Sequence, residues 1–273
     1  MEEIREVALR AARAAAAIIR NAWERARTVE YKGPVDLVTA TDREAEAAIV
    51  TIVRTAFPDH RIVAEESSDK GFERPRPGTP AWYVDPLDGT VNFVHRVPHF
   101  AVSIAFALGE EVQFALVVDP MRDEEFLAER GRGATLNGQP VAVSSVEQLG
   151  QALLATGFPY DRRTHAAYYL RFFRAFVERA QDVRRFGSAA LDLCWVACGR
   201  YDGFWEWRLH PWDVAAGSLI VREAGGRVSD FSGQPLDLFG EQILAANPHL
   251  HLPMLTVLRE HLAGAPPPQP LPS

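Results

Sequence analysis

The segment from Asp213 to Ala224 limits what this chain can fold into more than any other part of it. Val214, Ala215, Ala216, Leu219, Ile220 and Val221 make it apolar around most of its circumference, and Gly225-Gly226 closes it with a helix C-terminal signal. A helix with no polar face has no side to offer to water, so it must be buried between layers of structure. Sheets and helices stacked in several layers are therefore required. With 273 residues, 47% hydrophobic and 24% charged, the chain is long enough for one large unit or two fused halves.

The other segments fill in those layers. From Ile4 to Trp23, apolar residues at Ile4, Val7, Ala8, Ala11, Ala15, Ile18, Ile19 and Ala22 form the stripe of an amphipathic helix. Thr41 and Glu44 read as a capping box opening a second helix, cored by Ala45, Ala48, Ile49, Ile52, Val53 and Ala56 and ended by Pro58. Asp42 then sits in its first turn. Arg61–Ala64 and Ala81–Val84 are strand-like, with a Gly- and Pro-rich loop from Ser67 to Pro80 between them. Phe100–Leu108, Val112–Val118 and Glu124–Glu129 predict an antiparallel meander, because only the short turns Gly109-Glu110 and Asp119-Pro120 join them. Thr164–Ala180 and Ala189–Cys198 are expected helices, and Gly203–Trp207 a short aromatic strand. The fold class is α+β or layered α/β. Residues 1–264 are expected to form a single unit in two halves, about 1–145 and 146–264, with a Pro-rich tail over 265–273.

Charge narrows the function classes. The 29 basic and 36 acidic residues leave a net charge of -7, which argues against nucleic acid or an anionic membrane as the main partner. No apolar run reaches the roughly 20 residues of a membrane span. Met1-Glu2-Glu3-Ile4-Arg5 lacks the layout of a signal peptide, so a cytoplasmic location is expected. Cys194 and Cys198 lie one helical turn apart in an apolar stretch, as buried thiols rather than a disulfide or zinc site.

The chemistry concentrates in Trp82-Tyr83-Val84-Asp85-Pro86-Leu87-Asp88-Gly89-Thr90. A buried strand delivers two carboxylates to a turn stiffened by Pro86 and Gly89. Two anions this close call for a cation, and Asp85, Asp88 and the Leu87 carbonyl offer the oxygen donors that Mg²⁺ prefers. An ordinary Asx-turn would use the same residues. An EF-hand is excluded, since its third and fifth positions would here be Leu87 and Gly89. Glu65 and Glu66 follow a strand, Asp213 opens the apolar helix as cap or ligand, and Asp42 complements a helix dipole whether or not it meets metal.

As an ordered set these segments resemble the inositol monophosphatase family of lithium-sensitive, magnesium-dependent phosphatases. The resemblance rests on Asp36-Leu37-Val38-Thr39-Ala40-Thr41-Asp42, Ala64-Glu65-Glu66-Ser67, Asp85 through His95, Trp212-Asp213-Val214-Ala215-Ala216-Gly217 and Glu223-Ala224-Gly225-Gly226, and it spans nearly the whole chain. It implies an αβαβα sandwich, a homodimer and two Mg²⁺ ions, with a weaker third. On that pattern Glu65, Asp85 and the Leu87 carbonyl hold the first ion, Asp85, Asp88 and Asp213 the second, and Asp42 reaches the third through water.

The same resemblance implies the reaction. A metal-bound water held by Glu65 and Thr90 attacks phosphorus, and the second metal neutralises the departing alkoxide. The N–H groups of Gly89 and Thr90 cap a short helix and point at phosphate oxygens. Asp88, the Ala189 backbone, Glu206 and Asp213 meet the leaving alcohol, with Gly187 and Ser188 lining the wall. The expected substrate is a small-molecule phosphate monoester, myo-inositol 1-phosphate or a related polyol or sugar phosphate. Fructose-1,6-bisphosphatase and 3′-phosphoadenosine 5′-phosphate phosphatase activities are the alternatives within the chemistry, with Arg162 and Arg163 available to a second phosphate. From a different class, the chain could be a binding partner of the transcription machinery. Read without the resemblance, Glu206 would be the outward residue of an aromatic strand, His210 a packing histidine, and Arg184 and Arg185 solvated surface.

Overall fold

A computed structural model of the chain describes residues 1–23, 29–31, 37–67 and 73–262. The Pro-rich tail, Asp36 and the middle of the loop after Ser67 lie outside the described residues. α1 (Glu2–Trp23) buries Ile4, Val7, Ala8, Ala11, Ala15 and Ile19 of the expected stripe. β1 (Val29–Tyr31) pairs antiparallel with β2 (Leu37–Thr39), which runs directly into α2 (Ala40–Ala56). The capping box of α2 is Thr39 with Asp42, not Thr41 with Glu44. Thr39 keeps the extended backbone of the strand (φ −121°, ψ 166°), so the helix begins one residue after it and the box shifts with it.

A mixed sheet follows, built from β3 (Arg61–Ala64), β4 (Pro80–Asp88), β5 (Ala101–Leu108), β6 (Glu111–Asp119), β7 (Glu124–Glu129), β8 (Ala134–Leu136) and β9 (Gln139–Pro140), in that spatial order. β3 and β4 are parallel, and every later neighbour is antiparallel, as the short turns of the meander require. The five-residue helix α3 (Thr90–Val94) interrupts the path from β4 to β5.

The second sheet has the order β11-β10-β12-β14-β13. Its strands are β10 (Leu153–Thr156), β11 (Asp182–Arg184), β12 (Gly203–Trp207), β13 (Arg227–Ser229) and β14 (Gln242–Ala246), with α4 (Arg162–Val177), α5 (Ala189–Ala197) and α6 (Pro211–Glu223) inserted between them and α7 (His251–Leu262) at the end. α6 starts two residues before Asp213, with His210 as N-cap and Pro211 as its first residue. Proline there has its φ already set and no N–H to waste, so Asp213 becomes the third helical residue rather than the cap. α7 has no counterpart in the sequence reading. Pro253 lies in its first turn, where the missing N–H is harmless, and reads as a breaker in sequence alone.

Three apolar clusters order the layers. α1 and α2 pack on the outer face of the first sheet through Ala11, Ile19, Ile49, Val53, Trp82 and Phe114. α5 and α6 fill the space between the sheets, where Leu193, Ala215, Ala216, Leu219 and Ile220 meet Tyr83, Ala105 and Phe204. α4 and α7 cover the far face of the second sheet through Phe172, Phe176, Trp205, Met254 and Leu258. The result is the five-layer αβαβα sandwich, and the apolar helix occupies its middle layer. Among the described residues no helix is long and apolar enough to cross a membrane.

Candidate active site

β4 carries the site because its ladder is broken at one point. Asp85 pairs with Ser103 and Asp88 with Ala101, so three steps along β4 match two along β5. In a regular strand, residues three apart face opposite sides. The extra residue of this bulge returns Asp88 to the side of Asp85. Gly89 then turns the chain at φ 101°, where a Cβ would come within 3.0 Å of the His99 carbonyl, and its left-handed backbone opens α3.

Neighbouring elements bring the other acids. β3 lies parallel to β4 with Ala64 beside Val84, and Glu65 N–H donates to Val84 O at 3.1 Å, so Glu65 lies next to Asp85. Glu66 does not line this cleft but a separate groove with Arg43, Glu46 and Arg54, and its backbone N–H donates to Glu46 Oε2 at 2.7 Å. Asp213, from the first turn of α6, lines the same cleft, with Oδ2 accepting from His210 N–H at 2.6 Å. Asp88 Oδ2 accepts from Ser188 Oγ and Ala190 N–H, each at 2.7 Å, which ties β4 to the N-terminus of α5. Asp42 is buried behind Thr90: its Oδ2 accepts from Thr39 N–H at 2.8 Å, and its Oδ1 from the Thr90 hydroxyl at 2.9 Å. The same hydroxyl lies 3.1 Å from Leu87 O, while Leu87 N–H donates to Asp85 Oδ1 at 2.9 Å.

This much negative charge in a dry place is reflected in the acidities. Burial, followed by the charges of Glu65, Asp88 and Asp213, pushes Asp85 well above the usual carboxylate range. Burial raises Asp88 to about 6, against the pull of its Ser188, Ala190 and Ala189 donors. Glu206, from β12, is raised to about 8, mainly by burial, with Arg185 opposing and Asp213 and Asp88 adding to the rise. Such a set fits a hard divalent cation: the donors are all oxygen, and their mutual repulsion is what a positive ion relieves. Among the described residues no group of three or more His, Cys, Asp or Glu side chains stands in a metal-holding arrangement; one oxygen each of Asp88 and Asp213 accepts N–H or hydroxyl donors instead.

The cleft also takes in Gly89, Thr90, Gly187, Ala189 and Glu206, together with Arg162, Arg185, Tyr160 and Trp212. Ser188 is buried beneath it as the N-cap of α5, its Oγ accepting from Leu191 N–H. Glu206 faces the cleft because β12 is buried along its whole length, so it is not an outward strand residue. His210 lines the wall and stacks on Trp212 at 4.8 Å. Arg184 is drawn off to Asp182 at 2.5 Å.

A sequence profile of the inositol monophosphatase family matches residues 1–263. The chain belongs to the inositol monophosphatase family. It is 44% identical over 268 residues to the Nus factor SuhB of Escherichia coli, covering 97% of this chain and 99% of that one. With an inositol monophosphatase of Dictyostelium discoideum it shares 42% identity over 235 residues, 85% of this chain and 86% of the relative. The solved IMPase of Thermotoga maritima superposes with a TM-score of 0.85 at 36% identity, covering 96% of this chain and 99% of that structure. Members of the inositol monophosphatase family are phosphatases, and magnesium dependence and lithium sensitivity are traits of the family.

Two polar residues of this inositol monophosphatase fold escaped the sequence reading. Asn92 Nδ2 donates to His99 O at 2.8 Å and Phe186 O at 2.7 Å, clipping α3 to the turn before α5. It lies within the Asp85–His95 stretch that carries the resemblance, but without a role of its own there. Asp192 is 1% exposed within α5, with neither oxygen hydrogen-bonded. An acid inside so apolar a segment was the available signal, since an unpaired buried carboxylate is rarely tolerated without reason.

Proposed function

We propose that this protein is a Mg²⁺-dependent phosphomonoesterase acting on myo-inositol 1-phosphate or a related polyol or sugar phosphate. The observation that supports it most is the bulge in β4, which sets Asp85 and Asp88 on one side of the strand, next to Glu65 and at the mouth of α3. In this reading Glu65, Asp85, Asp88, Asp213 and the Leu87 carbonyl hold two ions, with Asp42 serving a weaker third. Bound magnesium would lower the pKa of the attacking water and offset the charge of the departing oxygen. Glu65 accepts the water's proton. The Thr90 hydroxyl, which donates to Asp42, presents lone pairs to the cleft and orients that water as an acceptor. The N–H groups of Gly89 and Thr90 receive the phosphate oxygens, a task that needs backbone rather than side chains. Asp88, Ala189, Glu206 and Asp213 bind the alcohol, Gly187 and Ser188 shape its wall, and Arg162 is at hand for a second anionic group.

A side-by-side comparison of kcat/KM on myo-inositol 1-phosphate, fructose 1,6-bisphosphate and 3′-phosphoadenosine 5′-phosphate, with Mg²⁺ and with EDTA, tests the reading. The polyol ester is expected to lead, and a tenfold preference for the nucleotide would reverse the order. Asp88→Asn should abolish most turnover while leaving the fold intact. The second reading, a partner of the transcription machinery, is favoured by the name of the Escherichia coli relative, a Nus factor. Phosphate release that persists in Asp88→Asn would overturn the ligand assignment, whereas a wild type that releases phosphate from none of these esters would turn the balance toward the second reading. We expect a cytoplasmic homodimer in either case.

A further inference from the structure

Glu206 is 9% exposed, lines the cleft, and receives no hydrogen bond from any described residue. A carboxylate that is nine-tenths buried and open only toward a cleft is aimed at a ligand. What seats it there is the strand beside it. β10 and β12 run parallel with Thr156 beside Trp205, and the Thr156 hydroxyl donates to Trp205 O at 2.7 Å. One step further along, at the carboxyl ends of the strands, Gly157 therefore lies beside Glu206.

A Cβ placed on Gly157 would fall on Oε1, Cδ and Oε2 of Glu206, far inside van der Waals contact. The carboxylate thus occupies the volume in which any other side chain at position 157 would begin. Backbone conformation does not explain the glycine, because Gly157 is absent from the residues with positive φ. Space does. The obstruction is also selective: it meets the far end of a flexible side chain, so a methyl group there turns Glu206 aside and leaves the strands in place. Around the notch, Asp88, Asp192 and Asp213 repel the carboxylate while Arg185 attracts it, so once displaced it is drawn toward Arg185.

We propose that Gly157 is a specificity-determining residue: having no side chain, it seats the Glu206 carboxylate in the cleft, and the seated carboxylate selects phosphate esters whose leaving alcohol carries adjacent hydroxyls. The inference rests on the phosphomonoesterase reading above. Without metal the group would keep its proton up to about pH 8; with Mg²⁺ at the neighbouring Asp88 and Asp213 it would ionise, and the two oxygens of the carboxylate then match two neighbouring O–H donors. An alcohol without hydroxyls leaves the buried group unpaired, and a site built in that way discriminates strongly.

The test measures kcat/KM for myo-inositol 1-phosphate and for phenyl phosphate, with Mg²⁺, in wild type, Gly157→Ala, Glu206→Ala and the double variant, together with the melting of each. Gly157→Ala should lower the ratio of the polyol ester to phenyl phosphate by about tenfold or more, chiefly through KM. The double variant should match Glu206→Ala, because both changes remove one interaction. A wild-type ratio in Gly157→Ala, or independent losses in the double variant, overturns the proposal. If Gly157→Ala melts low, the loss must vanish in the Glu206→Ala background, and persistence there also overturns it. A wild type that releases phosphate from neither ester sinks the phosphomonoesterase reading and this proposal together, whereas a wild type active on both isolates the failure to Gly157.

Discussion

The Thr90 hydroxyl lies 2.9 Å from Asp42 Oδ1, so the first residue of α3 is fastened to the first turn of α2 across the edge of the cleft. Asp42 also receives the Thr39 N–H, and in this way one buried carboxylate closes a helix and anchors the Thr90 hydroxyl at the cleft.

Asp42→Ala should therefore act twice. Loss of the capping interaction costs about 0.5–2 kcal/mol of stability, and the freed Thr90 hydroxyl no longer has a fixed direction. Urea unfolding should show the first effect, and a fall in phosphate release larger than the stability loss explains should show the second. Full activity in this variant would detach Asp42 from the site.

The stability of the metal-free protein should decline with pH. Glu206 stands at about 8 and Asp88 at about 6, above their ordinary values of 4.5 and 3.8, so the folded chain keeps protons that the unfolded chain has released. Their contribution is whole below about pH 4 and is lost as pH rises through those folded values. Melting in EDTA between about pH 5 and pH 9 checks this, and Glu206→Gln should flatten the upper part of the decline. His99, held down to about 4 by burial, adds an opposite slope below about pH 6.5, so the deciding interval lies above it, and a melting point that climbs between about pH 6.5 and pH 8 contradicts the Glu206 assignment.

Magnesium should raise the melting point, by about 2.7 kcal/mol of stability at a hundredfold excess over Kd. Asp85 is pushed up first by burial and then by Glu65, Asp88 and Asp213, so Asp85→Asn removes a repelled charge. That variant should melt above wild type without metal and gain little from it. Calorimetry with and without Mg²⁺ separates the two outcomes.

Away from the cleft, Gly217 on α6 lets α5 approach closely: a Cβ there would lie 2.5 Å from Leu193 Cδ1 and 2.6 Å from its Cβ. Gly217→Ala should destabilise the fold by about 1–3 kcal/mol through overpacking, as measured by chemical denaturation. An unchanged midpoint would mean that the two helices can separate at no cost.

Local patterns carried much of the architecture. The meander strands fall within a residue or so of their turn signals, Gly203–Trp207 coincides with β12, and the apolar helix lies between sheets as its composition demands. The misses share a cause. β11 and β13 have three residues each, too few for a period to show, and α7 hides behind Pro253. Asp213 could be placed at the start of α6 but not at its third residue, since capping registers two or three residues apart are equally plausible until the chain's entry direction is known.

For the site, the carboxylates and their order along the chain were legible as a set, because the family resemblance rests on short motifs that survive in sequence. How they meet was not. Whether Asp85 and Asp88 share a side depends on one extra residue in β4 measured against β5, and whether Glu206 faces water or the cleft depends on β12 lying buried beside β10. Sequence by itself determined which groups were available and which helix had to be interior, since side-chain chemistry and hydrophobic periodicity are properties of the chain. Only the tertiary structure decided which of those groups became neighbours, because register, bulges and the room beside a glycine arise from strands and helices distant in sequence.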